Sequence, residues 1–168
     1  MNDLRALLFD VDGVLTDGKI ILDCNGDEIK SFNVRDGQLI DFMRAQGFVF
    51  GAISGRKSKA LECRLNEMNV DFYKLGVVNK KIALQEFLQK FNFKESEVGY
   101  IGDDVIDIEV LKSIRYSFAP KDACQHVLNV VKTITNARGG EGVLREIIDC
   151  VINNRSELKS IFHLTYKI

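Results

Sequence analysis

The segment Phe9-Asp10-Val11-Asp12-Gly13-Val14-Leu15-Thr16 follows the apolar run Leu4 to Phe9. A short apolar run stopped by an Asp-x-Asp-Gly turn reads as a buried strand that ends in carboxylates. Side chains two apart on extended chain lean to the same side, so Asp10 and Asp12 converge beyond the strand's carboxyl end. Taken alone, Asp-x-Asp-Gly also suits a turn closed by an Asx hydrogen bond. The rest of the chain decides between the two.

Next come Lys19 to Asp23 and Glu28 to Phe32, separated by a turn containing Asn25-Gly26, which predicts a β-hairpin over about 18–33. From Asp36 onward helical and strand patterns alternate. Helices are expected near 37–46, 57–68, 104–114 and 122–129. Strands are expected at Phe48 to Ile53, Asp71 to Tyr73, Val98 to Ile101, Tyr116 to Ala119 and Lys132 to Thr135. Leu84, Phe87, Leu88 and Phe91 mark one amphipathic helix, and Val143, Leu144, Ile147, Ile148 and Val151 mark the last long one. Repeated β-α-β order implies an α/β fold, a Rossmann-like three-layer arrangement around a central parallel sheet. Ligands of such sheets bind at the carboxyl edge of the strands. One domain over 1–168 is expected, without a cap domain and with a C-terminal helical tail from about 153.

Composition excludes several classes. With 23 basic against 24 acidic residues the net charge is −1, so no basic surplus is available to hold nucleic acid. No apolar stretch approaches membrane-spanning length, and Met1 leads into a strand without a leader-like segment, so neither a membrane nor export is expected. Cys24, Cys63, Cys124 and Cys150 form no Cys-x-x-Cys pair, which suits free thiols in a reducing cytoplasm.

The chemistry gathers at the strand ends. Asp103, in Gly102-Asp103-Asp104, arrives from a second strand and would join Asp10 and Asp12. Three carboxylates at one sheet edge repel unless a cation compensates, and an all-oxygen donor set suits Mg²⁺ completed by water and phosphate oxygens. Ser54-Gly55-Arg56 follows a strand directly, where a hydroxyl and backbone N–H groups bind phosphate. Lys80 opens the next helix and can neutralise the same anion. Asp10 is then the nucleophile, forming an aspartyl-phosphate that water cleaves. Asp12 protonates the leaving alkoxide and later activates that water. Arg138-Gly139-Gly140 reads as a flexible loop carrying a cation over the bound anion.

Asp10-Val-Asp12-Gly-Val-Leu-Thr16, Ser54-Gly-Arg56, Lys80 and Gly102-Asp-Asp-x-x-Asp107 resemble, in order, the four motifs of the haloacid-dehalogenase phosphatases. The hairpin, the segment Lys30 to Gly37 and Arg138-Gly-Gly-Glu-Gly make the chain similar to the capless members that act on 3-deoxy-D-manno-octulosonate 8-phosphate (KDO 8-phosphate). The resemblance implies that Asp10, Asp12 through its backbone carbonyl, and Asp103 hold Mg²⁺. It also implies that Asn33, Val34, Arg35, Asp36, Gly37, Arg56, Arg64 and Lys80 contact substrate, and that Asp107 stands either behind these contact residues or on the substrate side. A guanidinium at Arg56 or Arg64 suits the carboxylate of a sugar acid. Homotetramers joined through the hairpins, with a neighbour helping to close each site, are implied in the same way.

A nonulosonic acid 9-phosphate is the competing substrate, and Arg56 favours the eight-carbon one. A signalling receiver domain also pairs an acidic Mg²⁺ pocket with a phosphorylated Asp, but its first-strand acids are adjacent rather than Asp-x-Asp. A catalytically idle scaffold would not need every motif position filled by the reactive residue type.

Overall fold

The computed structural model describes residues 1–167, and Ile168, the last residue of the expected tail, lies outside them. In chain order the elements are β1 (Ala6–Phe9), the hairpin strands β2 (Ile21–Leu22) and β3 (Glu28–Ile29), α1 (Arg35–Gln38), α2 (Ile40–Ala45), β4 (Val49–Ser54), α3 (Lys59–Glu67), β5 (Phe72–Leu75) and α4 (Lys80–Phe91). There follow β6 (Val98–Ile101), α5 (Ile108–Ser113), β7 (Tyr116–Ala119), α6 (Gln125–Leu128), β8 (Thr133–Ile134), α7 (Val143–Asn153) and α8 (Ser156–Tyr166).

Six strands form one parallel sheet in the order β5-β4-β1-β6-β7-β8. All of β1 is buried. Alternate β1 residues face opposite layers: Leu7 and Phe9 join the core with Met43, Leu65 and Ile148, while Ala6 and Leu8 join Leu84, Phe87 and Leu111. This period-two division makes β1 the middle of three layers, as its continuous apolar run required. The chain winds outward from β1 through β4 and β5, then returns to β6 on β1's other side. The crevice where the order reverses lies at the carboxyl ends of β1 and β6, the general ligand position of such sheets. No cap domain is inserted among the described residues.

Local departures from the sequence reading have tertiary causes. The helix expected over 37–46 is broken at Leu39 (φ −105°, ψ 2°). Asp36 turns inward there, and its Oδ1 accepts from the Arg145 N–H at 3.0 Å, in the first turn of α7. The helix expected over 104–114 begins as a tight 3-10 turn, Val105–Asp107, because Asp104 and Asp107 cap each other's backbone. The helix expected over 122–129 shortens to the four residues of α6. The hairpin ladder is only two residues long on each side, and Ile20, Ile21, Leu22 and Ile29 are exposed. α8 packs Phe162 edge-on against Phe42, ring centroids 5.4 Å apart. All four cysteines are free.

Candidate active site

Asp10 follows β1, and its N–H still donates to the Ile101 carbonyl at 2.9 Å, so the sheet itself fixes its backbone. Its Oδ2 lies 2.7 Å from Lys80 Nζ, and the same ammonium lies 2.7 Å from Asp107 Oδ1. Lys80 is the first residue of α4, whose N-cap Asn79 accepts from the Lys81 and Ile82 N–H groups. A cation in a first helical turn is unfavourable for the helix. Here two carboxylates hold it, and Lys80 is only 3% exposed. Beneath it, the Tyr100 hydroxyl donates to Asp107 Oδ1 at 2.7 Å, while Asp107 Oδ2 accepts from the Asp103 and Asp104 N–H groups.

Burial pushes Asp10 up to about 7, against the pull of Lys80 and with the push of Asp107. Burial, with the negative charges of Asp10 and Asp107, pushes Asp103 up to about 8. For Lys80, burial opposes the charge, but Asp10 and Asp107 outweigh it and hold the ammonium above its ordinary value. Gly13 makes room for Asp103. It has φ +87°, and a Cβ there would lie 2.0 Å from Asp103 Oδ2.

A second chain of charges crosses the mouth of the cleft. Lys30 Nζ donates to Asp12 Oδ1 and lies 3.2 Å from Glu28 Oε2. Arg56 donates through Nε to Glu28 Oε1 at 3.0 Å. Glu28 and Lys30 are hairpin residues that the sequence reading left without a role. Their only signal was alternation, with the two charges on one side of the strand and Ile29 on the other. Tyr100 was missed too, since inside a strand it reads as core.

The cleft is lined by Asp10, Asp12, Gly18, Ser54, Gly55, Arg56, Asp103, Asp104 and Ile106, so residues of three of the four motifs meet there as expected. Other expected site residues stand elsewhere. Asp107 is fully buried and turns both oxygens to protein donors, so it holds Lys80 rather than facing substrate. Asp36 is 1% exposed and serves the first turn of α7, and burial pushes its carboxyl up to about 6. Arg64 donates to the Asn33 carbonyl at 3.0 Å, pairs with Glu67 and stacks over Phe32, fixing the segment that carries Asn33 and Gly37. Val34 and Arg35 are exposed, and none of residues 33–37 lines the cleft. The double glycine is not a loose lid. Gly139 N–H donates to Asp122 at 2.9 Å and Gly140 N–H to the Val14 carbonyl at 3.0 Å, and a Cβ on Gly139 would lie 2.2 Å from the Gly13 carbonyl oxygen. Arg138 itself is exposed.

The donor set fits a hard dication. Oxygens of Asp10, Asp103 and Asp107 lie within 4.8 Å of one another. Asp103 Oδ1 is buried with no hydrogen-bond partner among the described residues, an arrangement that costs free energy unless something else binds there. Asp10, Asp12, Asp103 and Asp107 face the two ammonium groups of Lys30 and Lys80, an excess of negative charge that one dication cancels. Oxygen donors without His or Cys suit a hard cation such as Mg²⁺.

Residues 64–147 match the sequence profile of the haloacid dehalogenase-like hydrolases. The 3-deoxy-D-manno-octulosonate 8-phosphate phosphatase KdsC of Escherichia coli K12 is 36% identical over 94% of this chain and 84% of that protein. The chain belongs to this family. Among solved structures, the 3-deoxy-D-manno-octulosonate 8-phosphate phosphatase of Yersinia pestis superimposes with a TM-score of 0.90 at 35% identity, over 94% of this chain and 85% of that one. The corresponding enzyme of Moraxella catarrhalis, in complex with magnesium ion, phosphate ion and KDO, gives 0.91 at 27% identity, over 97% and 94% of the two chains. As a haloacid dehalogenase-like hydrolase of this type, the chain is a phosphatase, a phosphoric monoester hydrolase, and its cofactor is Mg²⁺. No helix among its described residues is long and apolar enough to cross a membrane.

Proposed function

We propose that this phosphatase hydrolyses KDO 8-phosphate, releasing KDO and inorganic phosphate as a step of lipopolysaccharide precursor synthesis. The observation that carries the proposal is Asp10, buried at the end of the central strand and held by Lys80, in a chain 36% identical to KDO 8-phosphate phosphatase along nearly its whole length. Asp10 attacks phosphorus, the ester P–O bond breaks, and the leaving alkoxide takes a proton from Asp12. Asp12 then takes a proton from water as that water attacks the aspartyl-phosphate, which frees Asp10 and phosphate. Ser54, the Gly55 backbone and Lys80 hold the phosphoryl oxygens, and Arg56 grips the sugar-acid end. Asp10, Asp103 and the Asp12 carbonyl would hold Mg²⁺, which would offset the negative charge of the phosphoryl oxygens.

One domain carries the reaction, in the cytoplasm, where four free thiols are stable. Ile21 and Ile29 are exposed cross-strand neighbours on one face of a hairpin too short to be stable alone, and Ile20 and Leu22 are exposed on the other, which supports association into a homotetramer through the hairpins.

The test is steady-state phosphate release from KDO 8-phosphate and from a nonulosonic acid 9-phosphate, with Mg²⁺ and with chelator. Higher kcat/KM on the eight-carbon ester, lost on chelation, is expected. A preference for the nine-carbon ester overturns the substrate assignment. Asp10→Asn is expected to abolish turnover, and a variant near the wild-type rate removes the nucleophile.

A further inference from the structure

We infer that Lys30, on the hairpin, is a positioning residue for Asp12: it fixes one carboxylate oxygen and leaves the other to carry the proton in both steps. This rests on the proposed role of Asp12 as acid and base.

The Lys30 side chain is 3% exposed and its ammonium lies between Asp12 Oδ1 and Glu28 Oε2. Two of its three N–H donors are already taken by carboxylates, and one of those carboxylates, Asp12, lines the cleft, so its link to the reaction runs through Asp12. The pairing distinguishes the two oxygens of Asp12. Oδ1 accepts from Lys30, while Oδ2 is buried without a partner among the described residues, in a side chain that lines the cleft. An oxygen that accepts from an ammonium is a poor seat for a proton, so the proton that moves sits on Oδ2.

The geometry also says what holds Lys30. Glu28 stands two residues before it on the same side of the strand and receives Arg56 on its other oxygen. The inner edge of the hairpin therefore ties the loop after β1, through Asp12, to the loop after β4, through Arg56. Without Lys30 the Asp12 carboxylate is free to rotate and either oxygen can face the cleft. A positioned acid or base contributes about 10²–10⁴ in rate, so loss of orientation alone removes only part of that.

The experiment compares Lys30→Met, Lys30→Arg and Glu28→Gln with wild type on two esters. KDO 8-phosphate has an alkoxide leaving group that needs a proton. p-Nitrophenyl phosphate leaves as a stable phenolate that does not. For Lys30→Met, kcat on KDO 8-phosphate is expected to fall roughly 30-fold with KM changed less than about threefold. On p-nitrophenyl phosphate the first step should slow by less than about threefold, while the second, in which Asp12 takes a proton from water, becomes limiting. A pre-steady-state burst of p-nitrophenolate then appears. Lys30→Arg restores most of the loss, and Glu28→Gln, which leaves the Lys30 contact in place, gives the same pattern at smaller size. Equal losses on both esters without a burst, or an unchanged kcat in Lys30→Met, overturn the inference while the site reading stands. If Lys30→Met does not fold, an unchanged leaving-group dependence in Glu28→Gln overturns it instead. A wild-type chain inactive on both esters overturns the site reading itself and this inference with it.

Discussion

The floor of the cleft and its mouth are built from similar charges on very different supports. At the floor, Asp10, Lys80, Asp107 and Tyr100 are buried and come from the end of β1, the start of α4, the 3-10 turn before α5 and β6, segments held by the two cores of the sheet. At the mouth, Asp12, Glu28 and Arg56 are partly exposed around the covered Lys30 ammonium, and two of the four sit on a hairpin with a two-residue ladder and exposed apolar side chains. Burial strengthens every interaction at the floor, while the Glu28–Arg56 pair at the mouth is screened by solvent. The floor is therefore rigid within one chain, whereas the mouth depends on whatever steadies the hairpin.

Lys80→Met attacks the floor directly and carries the largest expected effect. It strands two buried carboxylates and removes the cation facing the transferred group, so kcat/KM should fall by about 10³ or more. A loss under about tenfold would mean that the floor's ion pairs are structural only.

Proton and dication compete for the floor, which sets the next effect. Asp10 is raised to about 7 and Asp103 to about 8, each from 3.8. A carboxyl with a raised folded value keeps its proton in the native state after the unfolded chain has lost it. Stability of the metal-free protein therefore falls as pH rises from about 4 through 7 to 8. Bound Mg²⁺ replaces those protons, and the gain in Tm on adding Mg²⁺ should be larger at pH 8 than at pH 5.5 by roughly 5 °C. A gain independent of pH would break the link between these carboxyls and the metal.

At the mouth, Ile21→Asp is expected to dissociate the proposed tetramer, seen by sedimentation, and to lower kcat/KM about tenfold through the loosened Glu28 and Lys30. The Mg²⁺-dependent gain in Tm should survive, because the floor does not use the hairpin. Loss of that gain would erase the distinction between the two regions.

The same contrast governs what the sequence made legible. Asp10, Asp12, Ser54, Lys80 and Asp103 were readable because each stands at a fixed offset from a strand or helix end, and the alternation of elements alone brings such ends together. Asp36 and Arg64 were assigned to substrate by resemblance, yet they bond to α7 and to the Asn33 carbonyl, and of the two places left open for Asp107 the structure gives the one behind Lys80. Their partners are distant in sequence, so no local pattern announces them. Lys30 and Glu28 escaped for a related reason: a short hairpin with mixed charges looks like solvated surface until its inner edge is seen against Asp12 and Arg56.

Tyr100→Phe tests the floor most gently. The hydroxyl is fully buried and donates to the Asp107 oxygen that also receives Lys80, at 2.7 Å in each case. Burial and the nearby carboxylates hold the phenol well above its ordinary value, so it stays a donor throughout the working range. Removing it leaves Asp107 three donors, the Lys80 ammonium and the N–H groups of Asp103 and Asp104, so the carboxylate is not orphaned. The stability cost should be that of one buried hydrogen bond, about 1 kcal/mol, or roughly 2–4 °C in Tm. Lys80 then leans further toward Asp107, and kcat should fall about threefold with KM nearly unchanged, since the bond tunes a group that matters most in the transition state. A rise in KM at constant kcat would instead place Tyr100 among the residues that shape the cleft for binding.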